Sequence, residues 1–388
     1  MSKKNEVKVK KALVVTTVAS TLDQFCMNDI SILQETHKVY VAANFKFGNN
    51  TSEERVKEFK SELQTKNIVF YDINMNRNPF SKDNLKVYKE VKKLIEINSF
   101  DIIHCHTPVA AMLVRLAARN ARKNGSSVVY TAHGFHFYKG APYKNWFLFY
   151  PVEWYLARYT DVLITINTED YERAKKSFKA KRIKYIPGIG IDIKKFNQKK
   201  VDKIAKRNEI GLSKDSYVVL SVGELNKNKN HETVIKAIAK LNNPHIYYVI
   251  CGQGVLEDYL IKMIKELEIE KQVVLLGFRK DIAEICKVAD VFAFPSFREG
   301  LSVSLMEAMV SGLPVVCSDI RGNSDLIKDE QGGYLKKPTD VDGFANALQE
   351  IYMNKVYRDS FGEFNKLAIE KFKIENVISN MKNIYLEV

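Results

Sequence analysis

Short apolar runs alternate with helical patterns along the first half of the chain. The runs are continuous rather than alternating, as expected for strands that are covered on both faces of a parallel sheet. Helical periodicity lies between them, as in NLKVYKEVKKLIEI and AAMLVRLAARNARKN. The predicted strands are KALVVTTV, KVYVAAN, NIVFYDI, FDIIHCHT, SVVYTAHG, DVLITIN and RIKYIPG. This βαβ rhythm predicts a doubly wound α/β domain.

A Gly-containing turn and a basic, polar segment interrupt the rhythm between residues 187 and 213. The rhythm then resumes, with predicted strands YVVLSVGEL, HIYYVICGQG, VVLLGF, VFAFPS and LPVVCS. We therefore expect a second doubly wound, Rossmann-like domain that faces the first across a cleft, where the loops after the strands bind ligands. The predicted domains are 1–190 and 191–365, followed by a C-terminal helical segment, 366–388, that crosses back to the first domain.

Size and composition are typical of a globular protein with two cores. The chain has 388 residues, of which 46% are hydrophobic and 27% charged. No uninterrupted apolar stretch reaches about 18 residues, so no membrane span is expected. The five cysteines are scattered, mostly within apolar runs, and form no CxxC pair. This usage indicates a reducing cytoplasm rather than a disulfide framework or a metal site.

The net charge of +14 is distributed unevenly. Lys and Arg exceed Asp and Glu by 13 in residues 1–190 and by 1 in residues 191–388. A strongly basic half favours an acidic partner, which is nucleic acid, an anionic membrane or a phosphorylated substrate. A basic surface that serves only solubility is the alternative. Because no RRM, KH or helix-turn-helix pattern accompanies the charge, we expect no nucleic-acid partner.

Lysines follow the predicted strand YVVLSVGEL, where the chain turns into a helix. Lys227 and Lys229 lie in this turn, beside the expected helix start. Ammonium groups add to the unpaired N–H groups and the dipole of a helix N-terminus, so the turn is a candidate phosphate site. Lysine is also common in ordinary turns, and the pattern alone is weak.

Gly252 and Gly254 follow the next strand of the second half. A dinucleotide fingerprint would need a third glycine at position 257, which is occupied by Glu257. A close approach of the backbone to a ligand is therefore expected here, but a nicotinamide site is not. No Walker pattern is present.

Two acids, Glu299 and Glu307, occur in the stretch FREGLSVSLMEAM. Ser302 is expected to cap the helix that carries Glu307, which leaves the N–H groups of residues 300–303 free to hold a phosphate. A carboxylate inside such a helix disfavours that phosphate but suits sugar hydroxyls, because each of its oxygens accepts an O–H. The alternative is a pair of ordinary acids, one solvated and one stabilised by the helix dipole.

Histidines and aromatic residues crowd the stretch YTAHGFHFYKGAPYKNWFLFYPVEWYLARYTD. A lone histidine is more often structural than catalytic, but His133 lies at a strand end. Aromatic rings interleaved with basic residues suit a membrane interface, and a core helix with some exposed rings is the alternative. The residues expected to face the membrane or an acceptor are His136, Lys139, Lys144, Trp146 and Trp154.

In combination these motifs resemble the retaining, GT-B-type glycosyltransferases of family 4. EGLSVSLMEAMVSGLPVVCSDIRGNSDLI carries an EX7E pattern from Glu299 to Glu307. TAHGFHFYKGAP, FDIIHCHTPVA and VGELNKNKNH are similar to the branch that builds bacterial capsule and exopolysaccharide repeat units. The likeness covers nearly the whole chain and implies a GT-B fold.

The resemblance implies separate roles for the two acids. Glu307 would bind the ribose hydroxyls of a nucleotide, most often UDP, and Glu299 would bind the donor sugar. His133 would lie against that sugar from the N-terminal domain, and Lys229 would neutralise the diphosphate. The other donor-site residues that it implies are Gly223, Gly252, Gly300, Leu301 and Ser302.

The resemblance also implies the substrates and their location. The donor would be a UDP-sugar carrying a hexose or N-acetylhexosamine, and the acceptor a saccharide on undecaprenyl diphosphate at the inner face of the cell membrane. The loop TTVASTLDQF, with Thr17, would help form the acceptor side. The family works without a metal or another cofactor, in agreement with the absence of a DxD motif at a strand end.

One position departs from the family pattern. Many relatives carry Arg where this chain has Glu224, and that Arg shares the diphosphate with the Lys. We expect Glu224 to point away from the donor and Lys227 to supply the second charge. Two other functions are open on the sequence alone: a sugar-nucleotide epimerase of GT-B fold, and a non-catalytic subunit that binds a sugar nucleotide.

Overall fold

The structure is a computed structural model that describes residues 9–198 and 200–388. The chain divides into two compact units. The first runs up to Ile189 and also contains Glu375–Val388, and the second is Gly190–Ile374. Each unit is built on one parallel β-sheet with helices on both faces.

The first unit has a seven-stranded parallel sheet in the order β3-β2-β1-β4-β5-β6-β7. Its strands are β1 (Lys11–Val18), β2 (Lys38–Asn44), β3 (Val69–Asp72), β4 (Ile102–His106), β5 (Ser127–Ala132), β6 (Val162–Thr165) and β7 (Arg182–Tyr185). A π-helical turn, Leu22–Cys26, lies between the first two of its helices. The helices are α1 (Ala19–Thr21), α2 (Met27–Gln34), α3 (Glu53–Thr65), α4 (Asp83–Asn98), α5 (Pro108–Ala117), α6 (Arg119–Lys123), α7 (Tyr143–Ala157) and α8 (Thr168–Ser177).

The second unit has a six-stranded parallel sheet in the order β10-β9-β8-β11-β12-β13. Its strands are β8 (Tyr217–Val222), β9 (Ile246–Cys251), β10 (Val273–Leu275), β11 (Val291–Phe294), β12 (Val315–Ser318) and β13 (Gly333–Lys336). The helices are α9 (Ile193–Asn197), α10 (Lys203–Glu209), α11 (His231–Leu241), α12 (Glu257–Glu266), α13 (Ile282–Cys286), α14 (Val303–Val310), α15 (Asn323–Leu326), α16 (Val341–Met353) and α17 (Lys355–Ala368).

Both sheets are buried on their two faces, which explains the continuous apolar runs. In β1, Leu13 packs into the core on one face and Val14 into the core on the other. In β8, Leu220 and Val219 are divided between two cores in the same way. Because successive side chains of a strand point to opposite faces, a strand covered twice needs an apolar residue at nearly every position.

The chain ends with helix α18 (Ile374–Leu386), which packs on the first unit. Its residues Val377, Met381, Ile384 and Tyr385 are buried in the core that lies over β1 and β2. The 3₁₀ turn Ile369–Phe372 separates it from α17. The last helix therefore completes the core of the unit with which the chain begins.

The predicted strands are all present, and the elements that were not predicted include β13, α9 and α10. The edge strand β13 was not predicted, because QGGYLKKP has no continuous apolar run and pairs on only one side. The segment expected to be a polar linker contains the short helices α9 and α10. Asp192 and Asp202 cap them by accepting hydrogen bonds from backbone N–H groups.

The packing of α18 predicts unequal effects for two apolar truncations on that helix. Ile384 is 4% exposed and Leu386 is 79% exposed. Ile384→Ala is expected to lower the free energy of unfolding by about 2–4 kcal/mol, because it leaves a cavity in the core. Leu386→Ala, the matched control, is expected to change it by less than about 0.5 kcal/mol. Urea denaturation measures both, and equal small losses would contradict the docking of α18.

Candidate active site

Two charged loops meet at the centre of the second sheet. The strand order reverses between the neighbours β8 and β11, and ligands of open parallel sheets bind in the crevice at such a switch point. The loops after these strands carry Lys229 and Glu299, whose Nζ and Oε1 atoms lie 2.8 Å apart. Lys229 Nζ also lies 4.7 Å from the centre of the Phe294 ring. The fold thus joins two predicted site residues that are 70 positions apart.

Hydrogen bonds to backbone carbonyl oxygens fix these two loops against each other. The Asn230 side-chain amide donates to the carbonyl oxygens of Pro295, at 3.0 Å, and Pro338, at 2.8 Å. The Phe297 N–H donates to the Asn228 carbonyl at 2.8 Å. The Asn230 amide is buried and donates hydrogen bonds to two carbonyl oxygens. It therefore holds in place the backbone next to the Lys229–Glu299 ion pair.

Gly223 and Gly252 are explained by close packing around Lys229. A Cβ at position 223 would lie 3.1–3.3 Å from three carbons of the Lys229 side chain. A Cβ at position 252 would lie 1.9 Å from the Gly223 carbonyl oxygen. Neither site has room for a larger residue without movement, so the two glycines let the lysine stem lie directly on the backbone at the strand ends.

Ser302 caps helix α14, as predicted. Its hydroxyl accepts a hydrogen bond from the Leu305 N–H at 3.4 Å, and its backbone is extended. Gly300 and Leu301 precede the cap, next to Glu299 in the chain. Gly322, with φ of +80°, packs so closely that a Cβ there would lie 1.9 Å from the Gly300 carbonyl oxygen. The start of α14 is thereby held beside the ion pair.

Glu307 lies one turn into α14 and is largely desolvated. Burial raises the pKa of its carboxyl from 4.5 to about 7. Among the described residues, no hydrogen-bond donor reaches this carboxylate, unlike Glu299, which is paired with Lys229. A half-buried carboxylate without a donor is suited to accept hydrogen bonds from a hydroxylated ligand.

The two other charged residues of the loop after β8, besides Lys229, are exposed. Glu224 and Lys227 both extend into solvent, and only Lys227 lines the cavity of about 540 Å³ beside α11. The ion pair with Glu299 is made by Lys229 and not by Lys227. The Glu224 side chain therefore lies outside the buried part of the loop.

The first sheet also has its switch point between two central strands, β1 and β4. The Thr107 hydroxyl accepts a hydrogen bond from the Thr17 N–H at 3.1 Å and lies 2.8 Å from the Thr17 hydroxyl. Thr107 has φ of +63°, a conformation that costs a non-glycine residue about 1–3 kcal/mol. Strain of this kind is typical of functional positions, and here the two hydroxyls hold it in place.

A cavity of about 380 Å³ opens beside this pair of threonines. Its lining is mainly apolar and includes Thr17 and His136, two residues expected on the acceptor side. Arg77 and Glu153 are the charged residues in its lining. The geometry brings the end of β1 and the histidine after β5 to one place. The segment TTVASTLDQF was predicted to be a loop, but it consists of the last three residues of β1 followed by α1 and the π-helical turn.

Helix α7 exposes a stripe of aromatic residues. Tyr143, Phe147 and Trp154 lie on one side of the helix and are 85%, 80% and 40% exposed. Trp146 differs from the expectation, because it packs against Phe137 and the core of the first unit. Among the described residues, Lys139 and Lys144 are exposed near the stripe, and no helix is long and apolar enough to cross a membrane.

His133 is part of a buried cluster that extends behind the end of β5. Its Nε2 lies 3.1 Å from Nδ1 of His106, the last residue of β4. The other nitrogen of His106 faces Oδ2 of Asp29, on α2, at 3.7 Å. Burial lowers the pKa of His133 to about 4 and raises the pKa of Asp29 to about 7.

His104 belongs to the same cluster but is fully satisfied. Its Nδ1 lies 2.7 Å from the Tyr385 hydroxyl, and its Nε2 lies 2.8 Å from the Thr131 hydroxyl. Asp29, His104 and His106 place an oxygen and two nitrogens within 4.8 Å of one another. Because both nitrogens of His104 are engaged in hydrogen bonds, the geometry favours a hydrogen-bonded cluster over a metal centre in this described part of the chain.

Sequence reasoning missed several residues of these sites, among them Asp29, His106, Thr107 and Gly322. His106 and Thr107 end the run FDIIHCHT, so their place after a strand was a usable signal. Asp29 gave none, since an acid in an amphipathic helix normally faces solvent. Gly322 lies in a turn, where glycine has many ordinary uses.

The fold, the matching family models and the relatives in sequence together define a glycosyltransferase of GT-B type. The model of the family described as glycosyl transferases group 1 matches residues 202–367, and that described as glycosyl transferase 4-like matches residues 51–167. HepE from Anabaena, solved with UDP and glucose, has a TM-score of 0.77 over 98% of this chain and 100% of its own, at 21% identity.

Relatives in sequence narrow the class further. EpsD of Bacillus subtilis, which is named as a glycosyltransferase, is 39% identical over 81% of this chain and 84% of its own. An Escherichia coli enzyme named UDP-Gal:alpha-D-GlcNAc-diphosphoundecaprenol alpha-1,3-galactosyltransferase is 32% identical over 79% of this chain and 81% of its own. The chain belongs to the family 4 glycosyltransferases, in the branch of bacterial exopolysaccharide and capsule biosynthesis.

The raised pKa of Glu307 predicts a pH-dependent stability difference. In the unfolded chain this carboxyl ionises near 4.5, but in the folded protein it keeps its proton up to about pH 7. The group therefore destabilises the fold as pH rises from 4.5 to 7. Glu307→Gln is expected to raise the free energy of unfolding by about 1–3 kcal/mol at pH 8 and by much less at pH 5.

Urea denaturation at the two pH values measures this difference. Glu266→Gln is the control, because Glu266 is a solvent-exposed acid of the same unit. A gain for Glu307→Gln of the same size at both pH values would contradict the raised pKa.

Proposed function

We propose that the protein transfers a hexose or N-acetylhexosamine from a UDP-sugar to a saccharide carried on a lipid diphosphate, with retention at the anomeric carbon and without a metal ion. The observation that carries this proposal is the Lys229–Glu299 pair at the switch point of the second sheet. Support for the substrates comes from the E. coli relative, whose name gives a UDP-sugar donor and a diphosphoundecaprenol acceptor.

The donor site is proposed on the second unit. Glu307 would accept hydrogen bonds from the ribose hydroxyls, since its carboxylate is desolvated and has no donor among the described residues. The N–H groups at Gly300 and Leu301, ahead of the capped helix, would hold the diphosphate. Lys229 would supply the buried positive charge and Lys227 a second, solvated one. Gly223 and Gly252 give Lys229 the space to lie there.

The proposed reaction breaks the bond between the anomeric carbon and the UDP oxygen. Positive charge develops on the sugar and negative charge on the leaving diphosphate. Lys229 and the start of α14 stabilise that negative charge, which is the largest contribution that fixed groups can make. The acceptor hydroxyl attacks the same face of the sugar, and the leaving phosphate oxygen takes its proton.

Glu299 is proposed to position the transferred sugar rather than to form a covalent bond with it. Its Oε1 already pairs with Lys229, and the other lone pairs of the carboxylate can accept hydrogen bonds from sugar hydroxyls. An ion pair with an ammonium group also makes a carboxylate a weaker nucleophile. His133 is proposed to contact the same sugar.

The acceptor site is proposed on the first unit. The cavity of about 380 Å³ beside Thr17 and His136 would take the lipid-proximal part of the acceptor, because its lining is mainly apolar. The rings exposed on α7, with Lys139 and Lys144, would lie at the inner face of the cell membrane. This arrangement would attach the protein peripherally where the lipid-linked acceptor resides.

Substitution of the two acids tests the division of the donor site. Glu299→Gln is expected to lower turnover about a hundredfold while the Kd for UDP changes little, because the part of the donor that this carboxylate contacts is the sugar and not UDP. Glu307→Ala is expected to weaken UDP binding about 10- to 100-fold, since it removes hydrogen bonds to a charged acceptor.

Calorimetry with UDP and turnover of UDP-sugar with a lipid-linked acceptor provide the two readouts. Glu266→Gln serves again as the exposed control. Equal losses of UDP affinity in both variants would contradict the proposed roles. Sugar products formed without any acceptor would identify an epimerase, and UDP binding without turnover a non-catalytic subunit.

Flotation with lipid vesicles tests the membrane surface. The wild-type protein is expected to bind vesicles that contain anionic lipid, and less so at high salt, because screening weakens the attraction of basic residues. Phe147→Ser is expected to reduce binding about tenfold through loss of buried apolar area. Leu367→Ser, at a 74% exposed apolar residue of the second unit, is the control. Absence of salt-sensitive binding would contradict the proposal.

A further inference from the structure

Asp29, His106 and His133 form a line of polar groups behind the proposed sugar contact. His133 Nε2 and His106 Nδ1 are 3.1 Å apart, which is a hydrogen-bond distance. His106 Nε2 is buried and makes no hydrogen bond to any described residue. It faces Asp29 Oδ2 at 3.7 Å, and a shift of about half an ångström closes that hydrogen bond.

A neutral imidazole has one N–H donor and one bare acceptor nitrogen. If Asp29 is ionised, it accepts the His106 Nε2 proton, and His106 Nδ1 then accepts the proton of His133 Nε2. His133 Nδ1 is left bare. If Asp29 is protonated, each hydrogen bond reverses and His133 Nδ1 carries the proton instead. One carboxyl thus decides whether the outer nitrogen of His133 accepts or donates.

The other titratable groups around Asp29 do not compete for this role. Those facing it are Cys26, His104, His106 and Tyr385. Burial raises the pKa of the Cys26 thiol and of the Tyr385 phenol and lowers the pKa of both histidines, so all four stay neutral near pH 7. Asp29, with a pKa of about 7, is the group that changes charge in this range.

The position of Asp29 also indicates a purpose beyond packing. It is 9% exposed, and no donor among the described residues holds its carboxylate. A buried carboxylate in this condition costs stability, and such groups persist where they serve a function. The small cavity lined by Asp29, His106 and His133 connects the three side chains in one space.

We propose that Asp29 and His106 are positioning residues that fix the tautomer of His133, so that His133 Nδ1 stays bare and accepts a hydrogen bond from a hydroxyl of the transferred sugar. The sugar contact rests on the proposed function, whereas the control of the tautomer does not. Asp29 and His106 act through His133 and touch no substrate themselves.

Nitrogen-15 NMR of histidine-labelled, ligand-free protein tests the tautomer directly. The His133 signals are identified by their absence in His133→Asn. As pH rises from 5.5 to 8.5, the His133 proton is expected to move from Nδ1 to Nε2 in the wild type. Asp29→Asn and His106→Asn are expected to abolish this movement, because either change interrupts the line of hydrogen bonds from Asp29 through His106 to His133.

Tyr385→Phe is the matched control, since its hydroxyl bonds His104 and leaves the Asp29–His106–His133 line intact. The His133 proton is expected to move in this variant as in the wild type. A His133 tautomer that is independent of pH in the wild type, or a movement that survives Asp29→Asn, would overturn the proposal. A divalent metal ion bound at one per chain and lost in Asp29→Asn would overturn it as well.

Turnover distinguishes this inference from the proposed function. Asp29→Asn is expected to lower kcat about three- to tenfold at pH 8 and to remove the rise of kcat through pH 7, while the Kd for UDP is unchanged. If the wild type shows the tautomer change but no transferase activity, the proposed function fails and the tautomer control stands. If the tautomer changes and kcat of Asp29→Asn equals that of the wild type, the sugar contact of His133 is overturned.

Discussion

All described strands in both sheets run parallel, so each loop that follows a strand emerges at the same edge of its sheet. The parallel arrangement therefore brings the residues of each candidate site together. At the switch point of the first sheet it brings Thr17 to Thr107, and at that of the second it brings Lys229 to Glu299. Neither pair is close in sequence. The parallel order, rather than any local motif, makes them neighbours.

Burial then divides the acids of the molecule into different chemical states. Glu299 forms an ion pair with Lys229. Glu307 and Asp29 are desolvated without a donor, and the pKa of each is raised to about 7. An acid of this kind is poised between donating and accepting a proton near neutral pH. The protein therefore contains both an ion pair, Lys229–Glu299, and two carboxyl groups, Glu307 and Asp29, whose charge depends on a ligand or a neighbouring residue.

How much the sequence reveals follows from the range of each interaction. Strands buried on both faces appear as apolar runs, and the cap at Ser302 is local, so both were predictable. The edge strand β13 lacks the second buried face that would have marked it. The contact of Lys229 with Glu299 spans 70 positions, and that of Tyr385 with His104 spans 281, so only tertiary folding creates them. Asp29 looks like any helical acid until its burial is known.

Helix α7 departs from the usual distribution of polarity on a surface helix. Its inner side carries Glu153, which is 7% exposed and paired with the fully buried Arg115 at 2.8 Å. Its outer side carries aromatic rings, and the Arg158 guanidinium lies 5.1 Å from the centre of the Trp154 ring. Contact with water alone does not explain this arrangement, because exposing aromatic rings and burying an ion pair both cost free energy. The membrane contact proposed above would supply an explanation, since a headgroup layer solvates rings and guanidinium groups together. The buried ion pair then fixes the helix so that its aromatic side stays outward.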